Sequence, residues 1–485
     1  MAKPRKKHVF LRIISTLIWL AAMASLGYLS YILYNADIMP IKYFAILGGI
    51  AVFLILVFLI FINNSRTKVW LFLFNDLLFI ALIVGSYFAY TKINDVLAFL
   101  KENLGAKYET NIYYFVTNKN NSYNKLSDIK GKTVKLVDDL DNKAELERNI
   151  SKKVEVSLEY IDTIVDSLYD VQENTDLIIF VNSGNYDAMV ENYEDFESKV
   201  KILDTIEIKY RMENETTGID VTEDNFIVYL SGIDTRSGKL PAKSLSDVNI
   251  ILVVNPTKKE LLMVHTPRDY FVQLGGTTGL KDKLTHAGLT GGVKTSIKTM
   301  EQLYDIDISY YVRVNFNAVI KLVDAVGGIT IYSDKSSSFT CWTDRSCRIK
   351  PGDNKVGGKC ALAFARERHA YKEGDRHRGE NQEQVIEKLI DKITSSKTLL
   401  TKSSDILKSL EGTFETTITT EEITSLVKMQ LDDMSKWNIS TYNVSGSDSY
   451  EYTRSYPSQQ LYVMKPDTKT VNTAKQKIKE ALDNK

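Results

Sequence analysis

The sequence predicts an α/β protein carried behind three transmembrane helices. Three observations support this. Long apolar runs are confined to the first 92 residues, a neutral total hides a segregation of charge, and short apolar runs alternate with helical periodicity through the rest of the chain. Of 485 residues, 61 are Lys or Arg and 61 are Asp or Glu. Residues 1–92 hold nine bases and two acids, a balance of +7, which leaves −7 for the remainder. The apolar fraction of 44%, with only 8 Pro and 25 Gly, excludes a disordered or collagen-like chain. The neutral balance argues against a basic nucleic-acid binder, so no nucleic-acid partner is expected.

Ile13–Tyr34 is 22 residues without a charge, Tyr43–Ile62 is 20, and Val69–Thr91 is 23 with one acid, Asp76. Each is long enough to span the bilayer as a helix, and the first is too long for a signal-peptide core. Lys3, Arg5, Lys6, Lys7 and Arg12 precede the first span, and Arg66 and Lys68 lie between the second and third. The positive-inside rule then predicts a multi-pass plasma-membrane protein with a cytoplasmic N-terminus and everything after about residue 92 outside the cell. Asp76 reads as a charge snorkelling to the inner headgroups or pairing with Asn75 and a neighbouring helix, in preference to a functional intramembrane acid.

Three regions are expected: spans in 1–92, an extracellular α/β accessory domain in 93–215, and a catalytic domain in 216–485. Residues 93–110 read as a helical connector (Val96, Leu97, Leu100, Leu104). Ile112–Val116, Thr133–Val137 and Leu177–Val181 read as strands, and Leu146–Ser151, Ile161–Val171 and Tyr186–Asn192 as helices. The stretches KLSDIKGKTVKLVDD (125–139) and DLIIFVNSGNYDAMVENY (176–193) resemble lobes of extracellular solute-binding proteins. This region carries no catalytic constellation and is expected to be structural, or to bind a partner or sugar.

After the polar linker Glu213–Gly218, strands are predicted at Phe226–Leu230, Val248–Val254, Leu261–Val264, Tyr310–Val314 and Ile329–Tyr332. Helices are predicted at Thr295–Leu303, Phe316–Val326, Lys359–Arg366 and Asn381–Ile393, the last with Val385, Ile386, Leu389, Ile390 and Ile393 on one face. Cys341 and Cys347 (CWTDRSC) are close enough for a disulfide, which an exported domain permits. Cys360 is left as a buried thiol, and no Cys/His spacing suits zinc.

Charged residues of this last domain gather in loops at strand and helix ends. They are Asp234 and Arg236 (GIDTR), Asp247 (LSDVNIILVV), Arg268 (HTPRDY), Lys283 (DKLTHAG), Arg366 and Arg368 (ARERH), and Asp375, Arg378 and Gln382 (GDRHRGENQ). Any one alone reads as a solvated charge or a local ion pair. Together they mix arginine forks, which match phosphate oxygens, with carboxylates that hold a hard cation. Arg378 and Gln382 lie one turn apart at a helix start that favours anions. Converging at the carboxyl ends of strands, the set reads as a site for a di- or polyphosphate with Mg²⁺ or Mn²⁺. Lys281 and His286 read as bystanders. Arg366 and Arg368 can serve one ligand only if the helix stops there, so irregular or extended backbone is predicted from Arg366 to His369, leading into a turn at Gly374.

The run DKLTHAGLTGGVKTSIKTMEQLYDIDISYYVRVNFNAVIKLVDAVGGITI (282–331), with GIDTR, SDVNIILVVNP, HTPRDY and ARER…GDRHRGENQ, resembles the LytR-CpsA-Psr (LCP) family over roughly residues 226–395. Three spans followed by an accessory domain resemble its capsule-locus (CpsA-type) branch. The resemblance implies an α-β-α domain with a central mixed sheet and an apolar lipid cavity. It implies a phosphotransferase that moves capsular polysaccharide, or a similar anionic glycopolymer, from a polyprenyl-pyrophosphate carrier to peptidoglycan, with the membrane and other capsule-assembly proteins as partners. Carried over by motif, Asp234 and Asp247 match the metal-binding acids. Arg236, Arg268, Arg366, Arg368 and Arg378 match the pyrophosphate clamp, with Lys283 and Gln382 alongside, and Asp375 matches the acid of D-x-x-R-x-x-x-Q. Arg376 is an extra base inside that pattern. Asp375 or a metal-ligating Asp are candidate bases, and Val314, Phe316, Ile320 and Val323 candidate tunnel residues, although each also reads as ordinary core.

Two rivals are a lipid-pyrophosphate hydrolase, whose site would look the same, and a membrane-bound transcriptional regulator. About a dozen residues before the first span are too few for a helix-turn-helix module.

Overall fold

The computed structural model describes residues 9–63, 68–104, 108–137, 143–161, 164–211, 217–235, 239–372, 374–395, 398, 402, 405–407 and 409–484. The chain divides into two units. One comprises Met1–Asn103, Thr394–Lys408 and Thr420–Ser435, and the other comprises the rest.

In the first unit the apolar runs form α1 (Val9–Asn35), α2 (Ile41–Asn63) and α3 (Val69–Asn103), each long and apolar enough to cross a membrane. The expected connector after Thr91 is a continuation of α3, because Phe99 and Leu100 keep the apolar face going and are buried. Trp19 stacks on Phe58 at 4.5 Å beside Ala22, Leu54 and Phe79, so large rings fill the space between helices. Arg12 on α1 donates to the carbonyl of Ile62 on α2 and lies over the ring of Phe72 on α3. Asp76 does not snorkel: it is buried with Asn75 among the helices. The helix Thr420–Asp433 also belongs to this unit. Lys428 pairs with Asp37 at 2.6 Å, Lys42 with Asp432 at 3.3 Å, Tyr43 donates to the Leu431 carbonyl at 3.1 Å, and Thr420 to that of Leu100 at 3.0 Å.

Among the described residues, the second unit contains two large sheets and four two-stranded ones, one of them the hairpin Gly446–Tyr452/Gln460–Pro466. The first is built from β1 (Tyr108–Asn118), β2 (Thr133–Val137), β3 (Ser157–Ile161), β4 (Ile178–Asn182) and β5 (Val200–Arg211), in the order β3-β2-β4-β1-β5. β3, β2 and β4 are parallel, and β1 runs antiparallel to β4 and β5. Along β1, Ile112, Tyr114 and Val116 face one core and Tyr113 and Phe115 the other, the period-two pattern of a strand buried on both faces. Those cores are filled on one side by α4 (Lys143–Lys153) and on the other by α5 (Ile164–Asp170), α6 (Ser183–Asn192) and α7 (Phe196–Lys199).

The second sheet, the predicted mixed sheet, has the order β16-β11-β6-β7-β8-β17. Its strands are β6 (Phe226–Ile233), β7 (Val248–Asn255), β8 (Glu260–Thr266), β11 (Tyr310–Asn315), β16 (Phe414–Thr416) and β17 (Asn438–Asn443). The short pairs β9 (Phe271–Val272)/β10 (Asp282–Lys283), β12 (Ile329–Ser333)/β15 (Gly352–Val356) and β13 (Phe339–Thr340)/β14 (Arg348–Ile349) lie outside it. One face, with Tyr229, Ile251, Val253 and Val264, is sealed by α8 (Ala287–Tyr304) and the C-terminal helix Thr468–Asp483. On the other face Val248, Ile250, Leu261 and Met263 form a buried cluster with half-buried apolar residues packed against it. These include Phe316 of α9 (Phe316–Ala325) and Ile386 and Ile390 of α11 (Asp375–Ile393). Of the four candidate tunnel residues, Val314, Phe316 and Ile320 are half-buried and Val323 is fully buried core.

The cysteine expectation is corrected. The disulfide joins Cys347 to Cys360, at the start of α10 (Gly358–Ala365), and Cys341 is the buried free thiol. The Cys341 amide donates to the Cys347 carbonyl at 2.9 Å, so backbone pairing closes the short loop while the Cys347 sulfur turns to the helix.

Candidate active site

The predicted loops meet along one edge of the six-stranded sheet. Asp234 directly follows β6, and Asp247 directly precedes β7, its amide donating to the Gly232 carbonyl at 2.8 Å. Antiparallel pairing of β6 with β7 thus brings both acids to the same end. Arg268 follows β8 at that end, and Lys283 lies on β10.

Two ion-pair groups form there. Arg366 donates to Asp234 at 2.9 Å, and its guanidinium lies 5.2 Å from the centroid of the Phe316 ring. In the second group Arg268 donates to Asp247 and to Glu191 of α6, and Lys283 pairs with Asp269 at 3.0 Å. Burial alone would raise the Asp269 carboxyl, but Arg268, Lys283 and Arg378 hold it below the usual range. It is thus an anion locking three cations of the predicted clamp.

Helix α10 stops at Ala365, and irregular backbone follows from Arg366, as the spacing argument predicts. The reason is Glu367, which is fully buried. Its carboxylate accepts the amides of Trp342 at 2.5 Å, His369 at 2.7 Å and Ala370 at 3.0 Å. The turn is built around this acid, with Arg366 half-buried and Arg368 exposed. Gly374 has φ +54° and leads directly into α11.

Helix α11 carries Arg378 and Gln382 against His265 of β8. A Cβ at position 379 would lie 2.6 Å from the His265 ring, so only glycine lets the helix approach this strand. Burial first, then the Arg378 charge, lowers the His265 pKa to about 4, against a smaller opposing hydrogen bond from Gln382. The ring is therefore neutral at physiological pH. Arg376 is turned away from the clamp, donating to the Gly446 carbonyl at 2.8 Å. His286 holds Asp282 at 2.7 Å, a structural pair consistent with its reading as a bystander. Arg236 and the Asp375 side chain lie outside the described residues, as does most of the linker.

Sequence reasoning missed Asp269, Glu367, His265 and Glu191. The first three sit inside the quoted motifs HTPRDY and ARERH, where residue type alone did not set them apart from the arginines. Glu191 had no signal, because only the fold brings α6 to Arg268.

Among the described residues no group of three or more His, Cys, Asp or Glu side chains has metal-binding geometry. Asp234 and Asp247 supply two hard oxygen donors. That donor set suits Mg²⁺, which takes one or two carboxylates and completes its shell with water and substrate phosphate.

Arg268, Lys283, Arg366 and Arg378 thus gather with Asp234, Asp247 and Asp269 at one end of a mixed α/β sheet, beside the half-buried Phe316 ring. The chain belongs to the LytR-CpsA-Psr family, whose profile matches residues 179–480. It is 31% identical over 283 residues to the polyisoprenyl-teichoic acid–peptidoglycan teichoic acid transferase TagV of Bacillus subtilis, covering 57% of this chain and 68% of TagV. It is 32% identical over 242 residues to biofilm regulatory protein A of Streptococcus mutans, covering 47% of this chain and 59% of that protein. The crystal structure of B. subtilis TagV aligns with a TM-score of 0.45 at 29% identity, covering 54% of this chain and 98% of TagV.

Proposed function

We propose that this protein transfers a glycopolymer, capsular polysaccharide or a similar anionic polymer, from a polyprenyl-pyrophosphate carrier to peptidoglycan. The observation that carries this reading is Arg366, bonded to Asp234 on one side and lying over Phe316, at the margin of an apolar face, on the other. A guanidinium at that junction suits a ligand whose pyrophosphate is joined directly to a hydrocarbon chain. The relatives named above as teichoic acid transferases support the same reaction class.

Arg366, Arg268, Lys283 and Arg378 would bind and orient the pyrophosphate, with Arg368 at the exposed rim. The half-buried apolar face would take the prenyl chain and exclude water. A peptidoglycan sugar hydroxyl attacks the glycan-side phosphorus, the bond to the bridging oxygen breaks, and polyprenyl phosphate leaves. The hydroxyl proton passes to a base. Positioning and charge neutralisation supply most of the acceleration in such reactions. Asp234 and Asp247 would hold Mg²⁺, which when bound neutralises phosphate charge.

The site would face outward in a multi-pass plasma-membrane protein with a cytoplasmic N-terminus. Two features support this: the Lys/Arg asymmetry, and contacts from the helix Thr420–Asp433 to both the α1–α2 loop and the end of α3. The test is incubation of full-length protein with lipid-linked glycan and peptidoglycan. A new glycan–peptidoglycan phosphodiester is expected. Release of free phosphoglycan alone would replace transfer with hydrolysis.

A further inference from the structure

We propose that the crevice between the five-stranded sheet and the catalytic domain is a binding site for a small organic solute with one anionic group, a carboxylate or a phosphate. This site is separate from the lipid-pyrophosphate site and does not depend on the transfer reaction.

The crevice lies where strand topology places ligands in open α/β sheets. From β2 the chain passes to β3 on one side, through α4, and then to β4 on the other side of β2, through α5, the two helices covering opposite faces. Between the carboxyl ends of β2 and β4 is the point where the winding reverses. Val137 of β2 and Val181 and Asn182 of β4 line a cavity of about 780 Å³ there, within the range of small-molecule sites.

Its chemistry is two-sided. Tyr113, Phe180 and Tyr456 supply aromatic wall, while Lys243 and Arg454 bring two cations from the catalytic domain. The ten-residue helix α6 starts at the cavity. Asn182 caps it, accepting the Asn185 amide at 2.9 Å, and both asparagines line the cavity. A helix N-terminus with two facing cations favours an anion, and the aromatic wall favours an organic body. Among the described residues, none of those predicted for the clamp lines this space.

The closing wall is fixed. A Cβ at Gly184 would fall 2.7 Å from the Lys243 carbonyl oxygen and from Leu289, so the first turn of α6 rests directly on catalytic-domain backbone. The other end of the same helix carries Glu191, bonded to Arg268. About 15 Å of helix therefore runs from the cavity to the clamp. The arrangement is that of a two-lobed solute receptor in which the catalytic domain is the second lobe.

Thermal-shift and calorimetric titration of the full-length protein in detergent test this without lipid or peptidoglycan. One arm uses glucose 1-phosphate and N-acetylglucosamine 1-phosphate, the other glutamate and alanyl-alanine, with inorganic phosphate and acetate as controls for a bare anion. At least one organic probe is expected to bind and to raise the melting temperature. Arg454→Ala, an exposed position, and Asn185→Ala should each weaken it about tenfold or more, the loss of one charge-assisted or amide contact. Two results overturn the proposal: no organic probe binding at millimolar concentration, or binding unchanged in both variants while they melt like wild type.

Discussion

Glu191 and Asp247 hold the same guanidinium, that of Arg268, one from helix α6 beside the five-stranded sheet and the other from the start of β7 in the six-stranded sheet. Arg268 is nearly buried between them, so its fork is occupied before any phosphate arrives. Glu191 is the more exposed of the two acids and competes directly with an incoming anion. Glu191→Gln is therefore expected to tighten binding of polyprenyl pyrophosphate several-fold, read by titration with a labelled analogue. Weaker binding would mean that Glu191 supports Arg268.

Asp247→Ala should abolish most transfer and remove its dependence on divalent ions, because one of two hard donors is lost. Melting temperature should fall as well, because the nearly buried Arg268 loses a partner, so activity is read where the variant is still folded. Assays across a Mg²⁺ series check both. Full activity with unaltered metal dependence would take Asp247 out of the site.

The two arginines of ARER should separate. Arg366 has an acid and an aromatic ring as neighbours, whereas Arg368 is exposed. Arg366→Ala should weaken lipid-pyrophosphate binding by about 1.5 kcal/mol, the low end for a charge-assisted pair because the site is half-exposed. Arg366→Lys should recover only part of that loss, as the fork is gone. Arg368→Ala should cost less. Equal losses for the two alanine variants would mean that Arg368 turns inward on binding.

Gly379→Ala should destabilise the fold and lower activity together, because the added methyl meets the His265 ring. Core overpacking of this kind costs about 1–3 kcal/mol. Denaturant unfolding of Gly379→Ala, alone and with His265→Ala, checks the contact: the second change should restore part of the stability.

His265 also predicts an acid sensitivity. Its folded pKa, about 4, lies below the ordinary 6.5, so between those values the unfolded chain binds a proton that the native site refuses. Stability is present above about 6.5 and is lost as pH falls through that window, by up to about 3 kcal/mol. Glu383 acts in the opposite sense. Burial raises it to about 7, so its contribution fades as pH rises from 4.5. The clean measurement is the difference in melting temperature between wild type and His265→Gln, which should shift in the variant's favour on acidification from pH 7 to 5.

Much of this architecture was legible because buried strands announce themselves. Val248–Val254 and Ile112–Val116 are continuous apolar runs flanked by turns. Edge strands do not: β17 is Asn-Ile-Ser-Thr-Tyr-Asn, polar and exposed, and pairs with β8 only because its backbone completes the sheet. β3 and β5 went unread for a similar reason. The loop arginines were legible from residue type and grouping. Their partners were not, since Asp269 looks like any loop acid until Lys283 arrives from β10. Cysteine pairing failed for the same physical cause, as the nearest neighbour in sequence lost to the nearest side chain in space.

The helix Thr420–Asp433 interrupts the catalytic sheet between β16 and β17 and keeps company with α1, α2 and α3. A cut in the chain between Asn103 and Tyr108 would therefore not release the second unit. The second unit would stay joined to this helix, which is held to the first unit through Lys428, Asp432 and Leu431. A fragment starting at the same point would carry that helix without the α1–α3 partners it contacts.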